Sequence, residues 1–181
     1  TMANEGEYRQ AVGPRWVTLV LGGARSGKTR RALDLASPFA RKVYVATAEP
    51  HDEEMRARIA RHVAERGPTW RTVEAPLELA KAFADTHDAE IFVVDCLTLW
   101  LSNLMHAGRD IEAETPKLLA ALETCPAHVV LVSNEVGLGI VPDNALARVF
   151  RDAQGRLNQE IARIADVVEL VAAGLPLRLK G

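Results

Sequence analysis

With 181 residues, 48% of them hydrophobic, the chain can bury one sizeable core but is too short for two comfortable domains. A formal net charge of −2 excludes the global positive field that draws nucleic acid or an anionic membrane, so any anion site has to be local. Two cysteines, Cys96 and Cys125, stand at no metal-ligand spacing and are too few for a disulfide framework; they suit a reducing compartment and read as small buried hydrophobes.

Residues 1–15, TMANEGEYRQAVGPR, are polar, carry Gly and Pro and lack the apolar core of a signal peptide. They are expected to form a disordered tail outside the fold, the Thr before Met reading as a cleavage remnant. No apolar run approaches the roughly 18 residues of a membrane span, so a soluble, cytoplasmic protein without a membrane span is expected. Residues 16–181 are then one domain.

In chain order, WVTLVL (16–21) reads as a first strand and 27–36 as a helix, followed by the strand KVYVAT (42–47) and helical patterns over 52–66 and 76–85. The strand IFVVDC (91–96) precedes helices over 97–107 and 110–123. HVVLVSN (128–134), a long helix over 143–165 and DVVELVAAG (166–174) complete the alternation. Near-continuous apolar strands separated by helices give βαβ units and an α/β fold, a mostly parallel central sheet with helices on both faces. The terminal GLPLRLKG follows a tight turn and is expected to return as an antiparallel edge strand. Ligands in such a sheet bind beyond the carboxyl ends of the strands.

At the first of those ends stands GGARSGKT, residues 22–29, the pattern G-x-x-x-x-G-K-[ST] between a strand and a helix. Its glycines let successive N–H groups face one anion, and the helix N-terminus adds roughly half a positive charge. Lys28 would reach the β- and γ-phosphates, and the Thr29 hydroxyl would ligate Mg²⁺. Asp95 closes the apolar strand IFVVD, where a carboxylate would hold that ion directly or through water; alone it would be an ordinary helix cap.

Triphosphate binding does not name the reaction. A signalling GTPase would carry an Asn-Lys-x-Asp base-reading motif, and the sequence has none; DAQG at 152–155 lies within a helical pattern and is read as a helix interruption. A kinase-like transferase fits the size and the loop better than a switch or a motor.

Over 52–66, Met55, Ile59 and Val63 form an apolar stripe expected to be buried. His62 borders it, with Arg58 and Arg66 four residues away on either side. Two guanidinium groups disfavour a third positive charge, so a neutral imidazole with a free lone pair is expected, able to attack phosphorus while the arginines offset phosphate charge. The spacing alone equally fits an idle, solvated histidine.

In order, GGARSGKT, YVAT, DEEMRARIARH, WRTVE, VVDCLTLWLSNL and VVLVSNEVGLGIVP…ARVFRDAQGRLNQ resemble the bifunctional adenosylcobinamide kinase/adenosylcobinamide-phosphate guanylyltransferase family of cobalamin biosynthesis, over essentially residues 17–180. The resemblance implies a P-loop NTPase fold of the RecA-like kind. It also implies two reactions: ATP- or GTP-dependent phosphorylation of adenosylcobinamide, then transfer of GMP from GTP through a guanylylated histidine, giving adenosylcobinamide-GDP and pyrophosphate. Carried over by position, His62 is the guanylylated residue. Gly22, Gly23, Ala24, Arg25, Ser26, Gly27, Lys28 and Thr29 match the phosphate loop; Ala46, Thr47, Ala48, Val63, Ala64, Glu65 and Arg66 match nucleotide-contacting stretches, and Glu74 and Asp95 acidic contacts. Mg²⁺ is implied as cofactor, GTP, ATP, adenosylcobinamide and its phosphate as ligands, and a homo-oligomer, a trimer, as the assembly.

Asn134 and Glu135, followed by Gly137 and Gly139, serve either turn chemistry near the phosphates or the positioning of Mg²⁺ or substrate. Arg148, Arg151 and Arg156 are either solvated or phosphate-touching, and Trp70 and Trp100 read as packing rather than corrin platforms. His51, His87, His106 and His128 show no ligand spacing, so no structural metal is expected. The alternative functions are a simple small-molecule kinase and a nucleotide-binding regulatory module without nucleotidyl transfer.

Overall fold

The computed structural model describes residues 13–181; most of the expected tail, residues 1–12, lies outside the described residues. Arg15, which the sequence reading leaves outside the fold, donates to the carbonyls of Leu122 at 3.1 Å and Glu123 at 3.2 Å. Those carbonyls belong to the last turn of a helix, where a guanidinium satisfies acceptors that have no partner within the helix.

The strands are β1 (Val17–Gly22), β2 (Lys42–Ala46), β3 (Trp70–Glu74), β4 (Ile91–Asp95), β5 (His128–Asn134), β6 (Val167–Ala172) and β7 (Leu175–Lys180). The helices are α1 (Lys28–Ala36), α2 (Glu53–Arg66), α3 (Leu79–Asp85), α4 (Leu97–His106), α5 (Ile111–Thr124) and α6 (Ala145–Ile164). One seven-stranded sheet runs in the order β3-β2-β4-β5-β1-β6-β7. All its pairings are parallel except β6 with β7, the expected antiparallel return at an edge.

Two apolar layers cover the sheet. On one face Leu97, Trp100, Leu101 and Leu104 of α4, Leu118 and Leu122 of α5 and Leu157 and Ile161 of α6 pack on Leu19, Val94 and Leu131. On the other, Ala32 and Ala36 bring α1 close against Val20, Val93, Val130 and Val132. Trp100 is buried in the first layer and donates its indole N–H to Leu77 O at 2.9 Å, a packing role.

Three local expectations are corrected. The strand β3 falls between the helices expected over 52–66 and 76–85, where the sequence reading assigns no element, because WRTVE alternates weakly and sits at the sheet edge with no residue fully buried. No interruption occurs at DAQG: α6 runs unbroken through Gly155, since the buried face on either side outweighs the roughly 1 kcal/mol cost of one helical glycine. Finally, Met55, Ile59 and Val63 do not form a core stripe, because no residue of α2 is buried. That helix lies beyond the sheet and turns its apolar side to an open cleft.

The register aligns the functional ends. Gly22 pairs with Asn134, while Ala46 pairs with both Asp95 and Glu74. Five strands therefore end together at one edge of the sheet, four of them on a polar residue or glycine.

Candidate active site

Gly22 leaves β1 where a Cβ would stand 2.8 Å from Val171 O, so only glycine fits. The loop then curls through left-handed conformations at Arg25 (φ 53) and Gly27 (φ 96), and α1 begins at Lys28. No side chain caps α1, which leaves its first N–H groups to an anion. Lys28 Nζ folds back on the loop and donates to Gly23 O at 2.8 Å. Behind the loop, the β6–β7 turn acts as a buttress: Gly174 N–H donates to Ser26 O at 2.7 Å. Arg31 of α1 makes two bonds, of 2.8 and 2.9 Å, to the buried carboxylate of Glu169 on β6. That guanidinium holds the Glu169 carboxyl below its ordinary range, against the opposing effect of burial.

Asp95 lies two strands away, with β5 between its strand and β1. Its Oδ2 accepts from Thr29 Oγ1 at 3.4 Å and from Tyr44 OH at 2.5 Å. Burial, and then the charge of Asp95, hold the Tyr44 phenol well above its ordinary range, so it remains a proton donor. The Arg66 guanidinium stacks 3.6 Å from the centre of the Tyr44 ring and donates to Thr72 Oγ1 at 3.2 Å.

A cleft of about 780 Å³ opens from Asp95, walled by α2 on one side and α4 on the other. Of the residues expected from the sequence, Ala46, Ala48, His62, Val63, Arg66, Glu74 and Asp95 line it. The phosphate loop does not line it and meets it only through Thr29 and Asp95. Ala64 and Glu65 are absent from its wall, and so is Thr47. The Thr47 hydroxyl is used up structurally: it donates to Cys96 O at 2.7 Å and accepts from Cys96 N–H at 2.8 Å, tying the end of β2 to the end of β4.

His62 presents an exposed imidazole whose Nδ1 stands 3.2 Å from Glu65 Oε2. Of the two expected arginines, Arg66 turns to the Tyr44 ring while Arg58 lines the cleft with His62, and the charged group in contact with the imidazole is the Glu65 carboxylate. In the neutral tautomer whose Nδ1–H donates to Glu65, Nε2 keeps its lone pair.

Several cleft residues went unnoticed in the sequence. Leu99, Ser102, Asn103 and His106 share one face of α4, a spacing of three and four that reads as an ordinary helix face. Asn103 Nδ2 donates to Thr47 O at 2.7 Å and Pro76 O at 3.0 Å, fixing the loop after β2. Tyr44 was hidden inside an apolar strand, and Met55 and Ile59 inside the supposed core stripe.

The remaining candidates lie elsewhere. Glu135 N–H donates to Gly22 O at 3.0 Å, while its carboxylate accepts from Gly137 N–H at 2.6 Å, which is turn chemistry beside the phosphate loop. Asn134 is held from below, its carbonyl accepting from Asn158 Nδ2 at 3.2 Å. Arg148 donates to Pro142 O and Arg151 pairs with Asp152, so both are engaged on α6 and its approach.

A phosphate loop whose threonine meets a strand-end carboxylate across an intervening strand is the arrangement of P-loop NTPases that use a nucleoside triphosphate. Solved structures agree on the fold: an ATPase of a type III secretion system of pathogenic bacteria superposes with a TM-score of 0.52 at 12% identity, covering 90% of this chain and 56% of that one. A KaiC-like protein from Pyrococcus horikoshii gives 0.50 at 16% identity, over 86% of this chain and 71% of its own. Sequence comparison is more particular. The family model CobU, cobinamide kinase / cobinamide phosphate guanyltransferase, matches residues 18–179, and the chain belongs to this family. The bifunctional adenosylcobalamin biosynthesis protein CobP of Pseudomonas aeruginosa is 46% identical over 167 residues, 90% of this chain and 96% of the relative. The bifunctional adenosylcobalamin biosynthesis protein CobU of Escherichia coli is 43% identical over 178 residues, 90% of this chain and 98% of the relative. Among the described residues no helix is long and apolar enough to cross a membrane.

Proposed function

We propose that this enzyme carries out both family reactions on adenosylcobinamide, with residues 22–29 as the phosphate site and His62 as the guanylylated group. The observation that carries this reading is that His62 lines the same cleft as Asp95, which is in turn bonded to Thr29. In the kinase reaction, the loop N–H groups and Lys28 hold the triphosphate of ATP or GTP while the aminopropanol hydroxyl of adenosylcobinamide attacks the γ-phosphorus; the bond to the β,γ-bridging oxygen breaks, ADP or GDP leaves and the hydroxyl proton is released. In the second reaction, Nε2 of His62 attacks the α-phosphorus of GTP; an N–P bond forms, the bond to the bridging oxygen breaks and pyrophosphate leaves. An oxygen of adenosylcobinamide phosphate then attacks the same phosphorus, returns the imidazole and yields adenosylcobinamide-GDP.

The donor set of a hydroxyl and a carboxylate, both hard oxygen ligands, fits Mg²⁺, and Thr29 and Asp95 would hold it. Bound there, the ion would neutralise charge developing on the phosphate oxygens. Exposed Leu175, Leu177 and Leu179 on β7, with Leu138, Ile140 and Val141 in the loop after β5, support association with further copies of the chain, in keeping with a trimer. A cytoplasmic location suits the substrates and the unpaired cysteines.

The test is incubation with Mg²⁺ and GTP labelled at the α-phosphate, without corrinoid. Acid-labile, alkali-stable label in the parent and none in His62→Ala is expected. Equal labelling of that variant would sink the assignment, and no label in either, with GTP shown to bind, would favour a simple kinase.

A further inference from the structure

One side chain links the phosphate site to the helix that carries His62. The Tyr44 hydroxyl donates to Asp95 Oδ2 at 2.5 Å, the oxygen that Thr29 also reaches, so Oδ1 keeps its lone pairs for another partner. The Tyr44 ring carries the Arg66 guanidinium on its face at 3.6 Å, and its edge rests on Trp70 at 6.3 Å. Arg66 closes α2 one turn beyond His62. Because no residue of α2 is buried, that helix lacks the apolar anchorage of its neighbours and depends on such contacts for its position. Among the described residues, Arg66 reaches the strands through Tyr44 and Thr72.

We propose that Tyr44 is a positioning residue for both half-reactions: its hydroxyl fixes the Asp95 rotamer at the phosphate site, and its ring seats Arg66 and with it the helix that carries His62. The inference rests on the reading of Asp95 and His62 given above. The two roles use different atoms of one residue and can be separated. A phenylalanine keeps the platform under Arg66 and removes the donor to Asp95; a leucine removes both.

The experiment compares the parent with Tyr44→Phe and Tyr44→Leu. Mg²⁺ affinity is measured calorimetrically with GDP bound, amide exchange is followed over residues 53–66, and His62 labelling from α-labelled GTP is timed. Tyr44→Phe is expected to weaken Mg²⁺ by about 10-fold, as loss of an outer partner to a metal-holding carboxylate does, with exchange in α2 unchanged. Tyr44→Leu is expected to weaken Mg²⁺ equally, to speed α2 exchange by about 10-fold and to slow labelling comparably. A phenylalanine variant with parental Mg²⁺ affinity overturns the hydroxyl role. A leucine variant with parental α2 exchange overturns the platform role. A general loss of structure would raise exchange in the core strands as well, and the phenylalanine variant, which keeps the ring, then decides. If the parent takes no label, the guanylylation reading fails while the Mg²⁺ and exchange arms still decide Tyr44.

Discussion

Thr29 and Asp95 are 66 positions apart in sequence and 3.4 Å apart in space, joined across the end of the strand that separates β1 from β4. The hydroxyl and the carboxylate thus present two hard oxygens at one point. Asp95→Asn keeps the shape and an acceptor for Tyr44 but removes the charge. Phosphoryl transfer by that variant is expected to fall roughly 10²- to 10³-fold, the range seen when one electrostatic stabiliser is removed, with nucleotide binding in EDTA unchanged. Steady-state kinetics beside equilibrium binding would check both halves.

Glu65 orients the imidazole of His62 through the 3.2 Å contact at Nδ1. Both side chains are more than half exposed, so water shares the role and the effect is modest. Single-turnover labelling from GTP is expected to slow about 10-fold in Glu65→Ala and less in Glu65→Gln, which retains an acceptor oxygen.

The phosphate loop depends on a close backbone approach. A Cβ on Gly27, at φ 96, would stand 3.1 Å from Gly174 Cα. Gly27→Ala is therefore expected to cost about 1–3 kcal/mol of stability and to raise the KM for nucleotide at both steps, because the loop has to shift from its buttress. Thermal unfolding and nucleotide titration together would show it.

Stability should fall in two acid stages. Burial, and then Arg15, lower the pKa of His128, whose Nδ1 accepts from Trp16 N–H at 3.1 Å. With the folded value below the ordinary 6.5, the unfolded chain binds the proton first, so stability is full above about 6.5 and declines as pH falls towards the folded value. The Glu169 carboxyl is also depressed, by Arg31, so its contribution is present above about 4.5 and is lost as pH drops through its folded value. Melting temperatures between about pH 2 and pH 8 are expected to show both stages, with His128→Gln flattening the upper one alone.

Much of this architecture was legible because it is written locally. Six strands and six helices follow from apolar runs and their periods, with ends displaced by no more than about three residues, as fraying termini allow. The phosphate loop announces itself because its chemistry needs contiguous glycines and a helix start. β3 escaped because an edge strand with Arg71, Thr72 and Glu74 has little apolar alternation to betray it.

The site divides along the same line. The chain's own pattern marked Gly22 to Thr29 as a phosphate loop and Asp95 as a strand-end acid, and its ordered segments marked the family, since each is a property of neighbouring residues. The long-range relations had to come from folding. A stripe of Met55, Ile59 and Val63 has the same spacing whether it faces a core or a cleft, and the absence of a packing partner made it a cleft wall. Arg66 has the same helical offset from His62 whether it lies beside the imidazole or leaves it, and the half-buried ring of Tyr44 holds it 3.6 Å from the ring centre. Side-chain partnerships across strands depend on sheet order and register, and no local periodicity encodes those.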